Sequence, residues 1–313
     1  MPVSVEKIAV FFSAAPPVPV QELHAEMLRK KQVKLLVRRE DLLHPEISGN
    51  KWRKLKYNLL AAAEQRFDTL LTFGGAYSNH LAAVAAAGHT FGFKTIGLVR
   101  GEEHLPLNPT LQQATQNGMQ LHYLDRSTYR QKEEPEFLKK MQQQFGPAFI
   151  IPEGGTNREA VKGCAEIISE ITEPFDVLTC AAGTGGTAAG LICGLAGEKE
   201  VLVFPALKGD FLQAEIAELV QAFAGKNYPN WKLQPDYHFG GYAKFTPDLL
   251  AFIRNFEHEF QIPLEPVYTA KMFYGLFDMI GKDAFAPGTT IMAIHTGGLQ
   301  GRAGFEQRLG LKL

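Results

Sequence analysis

Cysteine is scarce: Cys164, Cys180 and Cys193 are the only three among 313 residues. Their number and spacing exclude a disulfide framework or a cysteine-based zinc site, which leaves buried, reduced thiols as the expectation. Long hydrophobic runs are missing as well, and none approaches the ~20 residues of a membrane span. The opening MPVSVEKIAVFF has no basic segment followed by a long apolar core, so no secretion signal is expected. Neither sign of charge dominates. Thirty-two Lys and Arg face 33 Asp and Glu, for a net charge of -1, so no global field favours nucleic acid or an anionic membrane. The basic patch Arg29–Arg39 is broken by Val and Leu and reads as a helix end flanking a strand. These absences predict a cytoplasmic protein without metal, nucleic-acid or membrane partners.

What is present is ample core material. The 45% hydrophobic content suits a globular protein, and the length allows one large or two intermediate domains. A helical pattern near Gln21–Lys30 follows a proline-bearing lead-in. Strand patterns at Val33–Val37, Thr69–Phe73, Thr95–Val99, Gln120–Tyr123, Phe149–Pro152, Val177–Cys180 and Val201–Phe204 alternate with helical ones. The helices read as Trp52–Gln65, Leu81–Ala87 with Gly88 as C-cap, Lys132–Phe145, Ala160–Ile171 and Phe211–Ala224. Pro266–Thr269 and Ile291–Gly298 read as two further strand-to-loop transitions. The alternation predicts a mainly parallel, twisted α/β sheet with right-handed crossovers. Gly225–Pro247 is the least periodic stretch and reads as a pocket wall.

In open α/β sheets ligands gather at the carboxyl ends of strands. Four such transitions are glycine-rich and polar: Ser48–Lys51, Gly74–Asn79, Gly183–Thr187 and His295–Gly298. Gly183-Thr184-Gly185-Gly186-Thr187 lies between a strand and a helix start. Its backbone N–H groups, threonine hydroxyls and helix dipole form a cradle for phosphate. It lacks the Gly-Lys-Ser/Thr ending of a nucleotide P-loop and the spacing of a dinucleotide fingerprint. Lys51 sits at a helix mouth just after Gly49, whereas Lys54 and Lys56 read as solvated. A lysine amine paired with a phosphate cradle points to pyridoxal 5'-phosphate, whose aldehyde needs the first and whose phosphate needs the second.

The motifs S-G-N-K-W-R-K-L-K-Y at 48–57, G-G-A-Y-S-N-H at 74–80 and P-V-Y-T-A-K at 266–271 resemble one family. It is the D-cysteine desulfhydrase and 1-aminocyclopropane-1-carboxylate (ACC) deaminase family of pyridoxal-phosphate enzymes, and the likeness spans roughly residues 35–300. The resemblance implies the tryptophan-synthase-β-like fold (fold type II), with two open, twisted, mainly parallel sheets flanked by helices. It implies a large cofactor-binding domain from 1–51 and 151–313, a small inserted domain at 52–150, and a homodimer. By the same resemblance Lys51 is the Schiff-base lysine, and Ser78 is the substrate-facing nucleophile or proton-handling and carboxylate-binding group. Asn79 contacts the cofactor ring hydroxyl, Gly183–Thr187 hold the phosphate, and Tyr268 is an active-site tyrosine. His80, Tyr242 and Thr296 join Ser78 and Asn79 as substrate-binding candidates.

Two positions separate the family's activities. ACC deaminases resemble P-V-Y-E-G and H-L-G-G, where this chain has Thr269 and Thr296, the desulfhydrase-like choice. A carboxylate beside the pyridine nitrogen would keep it protonated and make the ring a deep electron sink. A threonine there, expected to be Thr269, gives a shallower sink that suffices when a β-thiolate leaves. The expected reaction is therefore α,β-elimination on a small β-substituted amino acid, D-cysteine first, to pyruvate, sulfide and ammonia. ACC deamination is the alternative, and a cofactor-binding protein with little catalysis the second. The chain departs from the family at Tyr77 and His80, where glutamine is usual, at Ala270, and at Phe239–Lys244. In that loop, gapless alignment puts Lys244 where the family has tyrosine and leaves Tyr242 two residues early.

Overall fold

The computed structural model describes residues 3–313. Its strands are β1 (Val20–Leu23), β2 (Lys34–Arg38), β3 (Thr69–Gly75), β4 (Lys94–Arg100), β5 (Met119–Leu124) and β6 (Phe149–Ile151), then β7 (Val177–Ala182), β8 (Glu200–Pro205), β9 (Trp231–Leu233) and β10 (Thr290–Ile294). They form a six-stranded sheet in the order β1-β2-β10-β7-β8-β9 and a four-stranded sheet in the order β5-β4-β3-β6. Among the described residues only the β1–β2 pair is antiparallel.

The strands are apolar on both faces because helices cover both. Leu35 and Val37 of β2, with Ile291 and Ala293 of β10, face the helices Pro247–Phe260 and Thr269–Gly281. Their neighbours Leu36, Met292 and Ile294 point the other way, against Arg158–Ser169 and Gly186–Leu195. The period of two thus feeds two cores per sheet. In the four-stranded sheet Leu70 and Val99 join one core, and Leu71, Phe73, Ile96 and Leu98 the other.

The local expectations fail in three places. Gln21–Lys30 is not one helix, since β1 pairs with β2 and a helix begins only at Glu26. Gly88 is not a C-cap: the helix runs Asn79–Phe91 and ends on left-handed Gly92. Gly88 is glycine because a Cβ there would lie 2.3 Å from Thr95 Cγ2, so helix and sheet touch at that point. Pro266–Thr269 is not a strand end. It is a turn into the helix Thr269–Gly281, nucleated by the buried Glu265, whose carboxylate accepts the N–H groups of Val267, Tyr268 and Thr269 at 2.7, 2.7 and 2.6 Å. Cys164 and Cys180 are buried free thiols, and Cys193 is half-buried. Among the described residues no helix is long and apolar enough to cross a membrane.

Candidate active site

Following β10, β7 and β3, the chain turns at Thr296–Gly298, Gly183–Gly185 and Ala76–Ser78 around one cavity of about 240 Å³. The helix Asn50–Glu64 opens onto the same space. Its mouth is fixed by close backbone approach: Gly49 has φ 60°, a Cβ on it would lie 2.0 Å from the Thr296 oxygen, and Asn50 N–H donates to that oxygen at 3.0 Å. Only glycine fits there. Lys51 is thereby brought to the cavity, where its Nζ donates to Asn50 Oδ1 at 3.0 Å. Asn50 Nδ2 in turn donates to Thr187 Oγ1 at 3.0 Å, linking the lysine to the glycine-rich loop.

That loop follows β7 directly and starts the helix Gly186–Leu195, whose first N–H groups have no partner within the helix. Gly183, Thr184, Gly185, Gly186 and Thr187 all line the cavity. Lys54 is there too, against expectation. It is buried, not solvated, and its Nζ donates to Gly154 O at 2.9 Å and Thr156 Oγ1 at 3.0 Å. A Cβ on Gly186 would come within 3.0 Å of this Nζ. The signal was in the sequence, because residues three apart share a helix face and Lys51 already pointed to the pocket. Lys56 is half-buried outside the cavity lining, paired with Glu166 at 2.7 Å.

Burial and the neighbouring Lys54 lower the Lys51 pKa to about 7, and burial lowers Lys54 to about 8. Lys54, the more readily protonated of the two, invites an anion. Glu153 is the one carboxylate on the cavity lining, and it is turned to Tyr129 Oη at 2.8 Å and Lys132 at 3.6 Å.

Ser78 caps the Asn79–Phe91 helix by accepting the Leu81 N–H at 3.3 Å. Asn79 Oδ1 is buried without a partner. His80 lies beneath, Nε2 2.8 Å from Thr72 Oγ1, while that hydroxyl donates to Ile151 O at 2.8 Å. With the Thr72 proton committed, His80 Nε2 must be the donor, which leaves Nδ1 an unpaired buried acceptor. Burial, Lys51 and Lys54 hold this imidazole neutral by driving its pKa well down.

On the opposite wall Tyr268 lies over Gly183, where a Cβ would sit 3.0 Å from Tyr268 Cε1. Burial and the neighbouring Tyr242 and Glu265 raise its pKa far above the ordinary value, so it is a neutral phenol. Tyr242 also lines the cavity, its ring 6.1 Å from that of Tyr268 at 68°, whereas Lys244 does not. The shifted loop therefore still delivers a tyrosine. The two threonines part company. Thr296 is on the lining, but Thr269 is fully buried outside it, its hydroxyl 3.3 Å from Glu265 Oε1. The expectation that Thr269 reaches the ring nitrogen is corrected: the turn that presents Tyr268 turns its neighbour inward.

The sequence profile described as "Pyridoxal-phosphate dependent enzyme" matches residues 13–297. The chain belongs to the pyridoxal-phosphate-dependent enzymes. A putative 1-aminocyclopropane-1-carboxylate deaminase of Pyrococcus furiosus is 33% identical over 282 residues, 85% of each chain. A bifunctional D-cysteine desulfhydrase/1-aminocyclopropane-1-carboxylate deaminase of Arabidopsis thaliana is 30% identical, over 85% of this chain and 73% of its own. A solved ACC deaminase homologue superposes with a TM-score of 0.81 at 28% identity, over 97% of this chain and 98% of its own. The fold is that of the tryptophan-synthase-β-like members of this enzyme family, fold type II.

As a pyridoxal-phosphate-dependent enzyme the protein uses pyridoxal 5'-phosphate, and its residues fit that cofactor. The free N–H groups of a helix start and a buried ammonium suit a phosphate. A lysine of lowered pKa suits an aldehyde, and the orphaned Asn79 Oδ1 is an acceptor for a ring substituent.

Proposed function

We propose that this enzyme eliminates the β-substituent of a small amino acid, with D-cysteine the leading substrate and pyruvate, sulfide and ammonia the products. Lys51 would hold the cofactor, Gly183–Thr187 and Lys54 its phosphate, and Asn79 its ring. Bound there, pyridoxal phosphate supplies an aldehyde that captures an amine and a ring that accepts electron density. The chain's own residues do the rest. Once freed, the Lys51 amine is largely neutral at physiological pH and takes the α-proton. Ser78 and the N-terminus of its helix bind the substrate carboxylate, because unpaired N–H groups and the dipole favour an anion. His80 offers its bare Nδ1 as an acceptor. Tyr268, held protonated, donates to the leaving group and does not act as a base.

The observation that carries the choice of reaction is the lining: Thr296 is on it, Glu153 is its one carboxylate, and Glu153 is engaged elsewhere. A hydroxyl-lined site supports a moderate electron sink, enough when a thiolate leaves. ACC deamination is the second reading, favoured by the names of the P. furiosus and A. thaliana relatives. A 2-oxo-acid release screen over D- and L-cysteine, β-chloroalanine, serine and ACC tests both. D-cysteine turnover is the expected result, and turnover of ACC alone would sink the desulfhydrase reading. A homodimer accompanies this proposal, and sedimentation at micromolar concentration checks it.

A further inference from the structure

The loop that carries Tyr242 does not hold its shape through its own conformational preferences. Phe239, Gly240, Gly241 and Ala243 all have positive φ, at 53°, 89°, 115° and 53°. For Phe239 and Ala243 this region is strained and persists only where the surroundings impose it. The loop's backbone carbonyls converge on one buried cation. Lys271 Nζ donates to His238 O at 2.9 Å and Gly241 O at 2.7 Å, and reaches Ala206 O, just beyond β8, at 3.4 Å. Lys271 is 1% exposed, and its hydrogen-bond partners are all backbone carbonyls; the buried Glu265 acts on it only through its field. An unpaired buried ammonium is costly, and an apolar side chain of similar length would fill the same space more cheaply. Because its direct partners are three carbonyls and not a carboxylate, the ammonium organises backbone. Lys271 lies in the first turn of the helix Thr269–Gly281, three residues after Tyr268. One helical turn thus presents Tyr268 to the cavity and grips the loop that ends in Tyr242.

We propose that Lys271 is a positioning residue. Its ammonium ties the 238–241 loop to the helix of Tyr268, and so sets Tyr242 and Tyr268 as one wall facing the substrate. This rests on the site assignment above, so its test has an arm independent of turnover. In Lys271→Met, hydrogen exchange of the amides of residues 239–244 is expected to rise about tenfold or more, with the cofactor's visible band and exchange elsewhere unchanged. In the second arm kcat/KM is compared for wild type, Lys271→Met, Tyr242→Ala and the double variant. If Lys271 acts through the tyrosine wall, the double variant falls within about twofold of the worse single one. Losses that multiply, or exchange that rises everywhere or nowhere, overturn the proposal. Lys271→Gln, which keeps an N–H donor, serves should the methionine variant not fold. Failure of both to fold also overturns it, because Lys271 would then be a folding residue. If wild type turns over none of the amino acids, the reaction assignment fails while the exchange arm still decides this one.

Discussion

The two ends of the cavity are built differently. The proposed phosphate end is made mainly of backbone, a loop directly after β7 and the first turn of a helix, with one side chain, Lys54, on the face that Lys51 shares. The tyrosine end is made of side chains from segments far apart in sequence. Tyr242 comes on a loop with four positive-φ residues, Tyr268 on a turn shaped by Glu265, and Thr296 on a loop packed against Gly49. The first end needs only a strand, glycines and a helix in order. The second depends on how several loops settle against one another. On the proposed assignment, cofactor capture is built into the regular fold, whereas substrate choice is delegated to loops that can drift without disturbing it.

Five substitutions and one pH profile would break or sharpen this contrast. The largest effect is expected for Lys51→Ala, which loses both anchor and base: turnover falls by at least about 10³-fold and the lysine-linked visible band disappears. In wild type the sign of the pH effect follows from the lowered pKa, because the nucleophile is the neutral amine. Covalent capture by cofactor-free protein should therefore accelerate from about pH 6 to about pH 8 and then level off, where an ordinary lysine would keep accelerating. Stopped-flow absorbance reads this, and a rate still climbing steeply at about pH 9 would contradict the lowered pKa of Lys51.

Tyr268→Phe comes next. It removes a proton donor without touching the phosphate end, so kcat drops about 10²-fold while cofactor affinity holds. Steady-state kinetics with a cofactor titration separates the two. Lys54→Met should do the reverse. Losing a charged hydrogen-bond donor of about 1.5–3 kcal/mol weakens pyridoxal-phosphate binding by roughly 10- to 100-fold. Equal affinity in the variant would take Lys54 out of the phosphate site. The smallest effects belong to the threonines. Thr296→Leu should shift the D-cysteine to ACC preference by about tenfold. Thr269→Val should cost about 1 kcal/mol in thermal or urea unfolding and leave the preference alone. The opposite pattern would return the specificity role to Thr269.

Much of this was legible in the chain itself. The alternation of apolar four-to-six-residue runs with helical patterns gave the parallel α/β architecture, and Lys51 with Gly183–Thr187 gave the cofactor. Lys54 was legible and overlooked, since helical spacing alone puts it beside Lys51. Gly88 misled because a glycine near a helix end reads as a cap, when tight packing on Thr95 was the reason for it. Thr269 misled because a motif records adjacency, not direction. Here the Glu265 carboxylate that shapes the turn also draws in the Thr269 hydroxyl, at 3.3 Å, so Tyr268 reaches the cavity and Thr269 does not.

The sequence by itself determined the elements that repeat a local rule: strand periods, the glycine cradle, the cap at Ser78 and the lysine after Gly49. Each is set by neighbours a few residues away. Only the tertiary structure decided that Tyr242 and not Lys244 reaches the cavity, that Thr296 and not Thr269 lines it, and that Lys271 contacts a loop it never meets in sequence. Those outcomes depend on desolvation and on distant backbone groups converging in space, and neither is encoded in local sequence spacing.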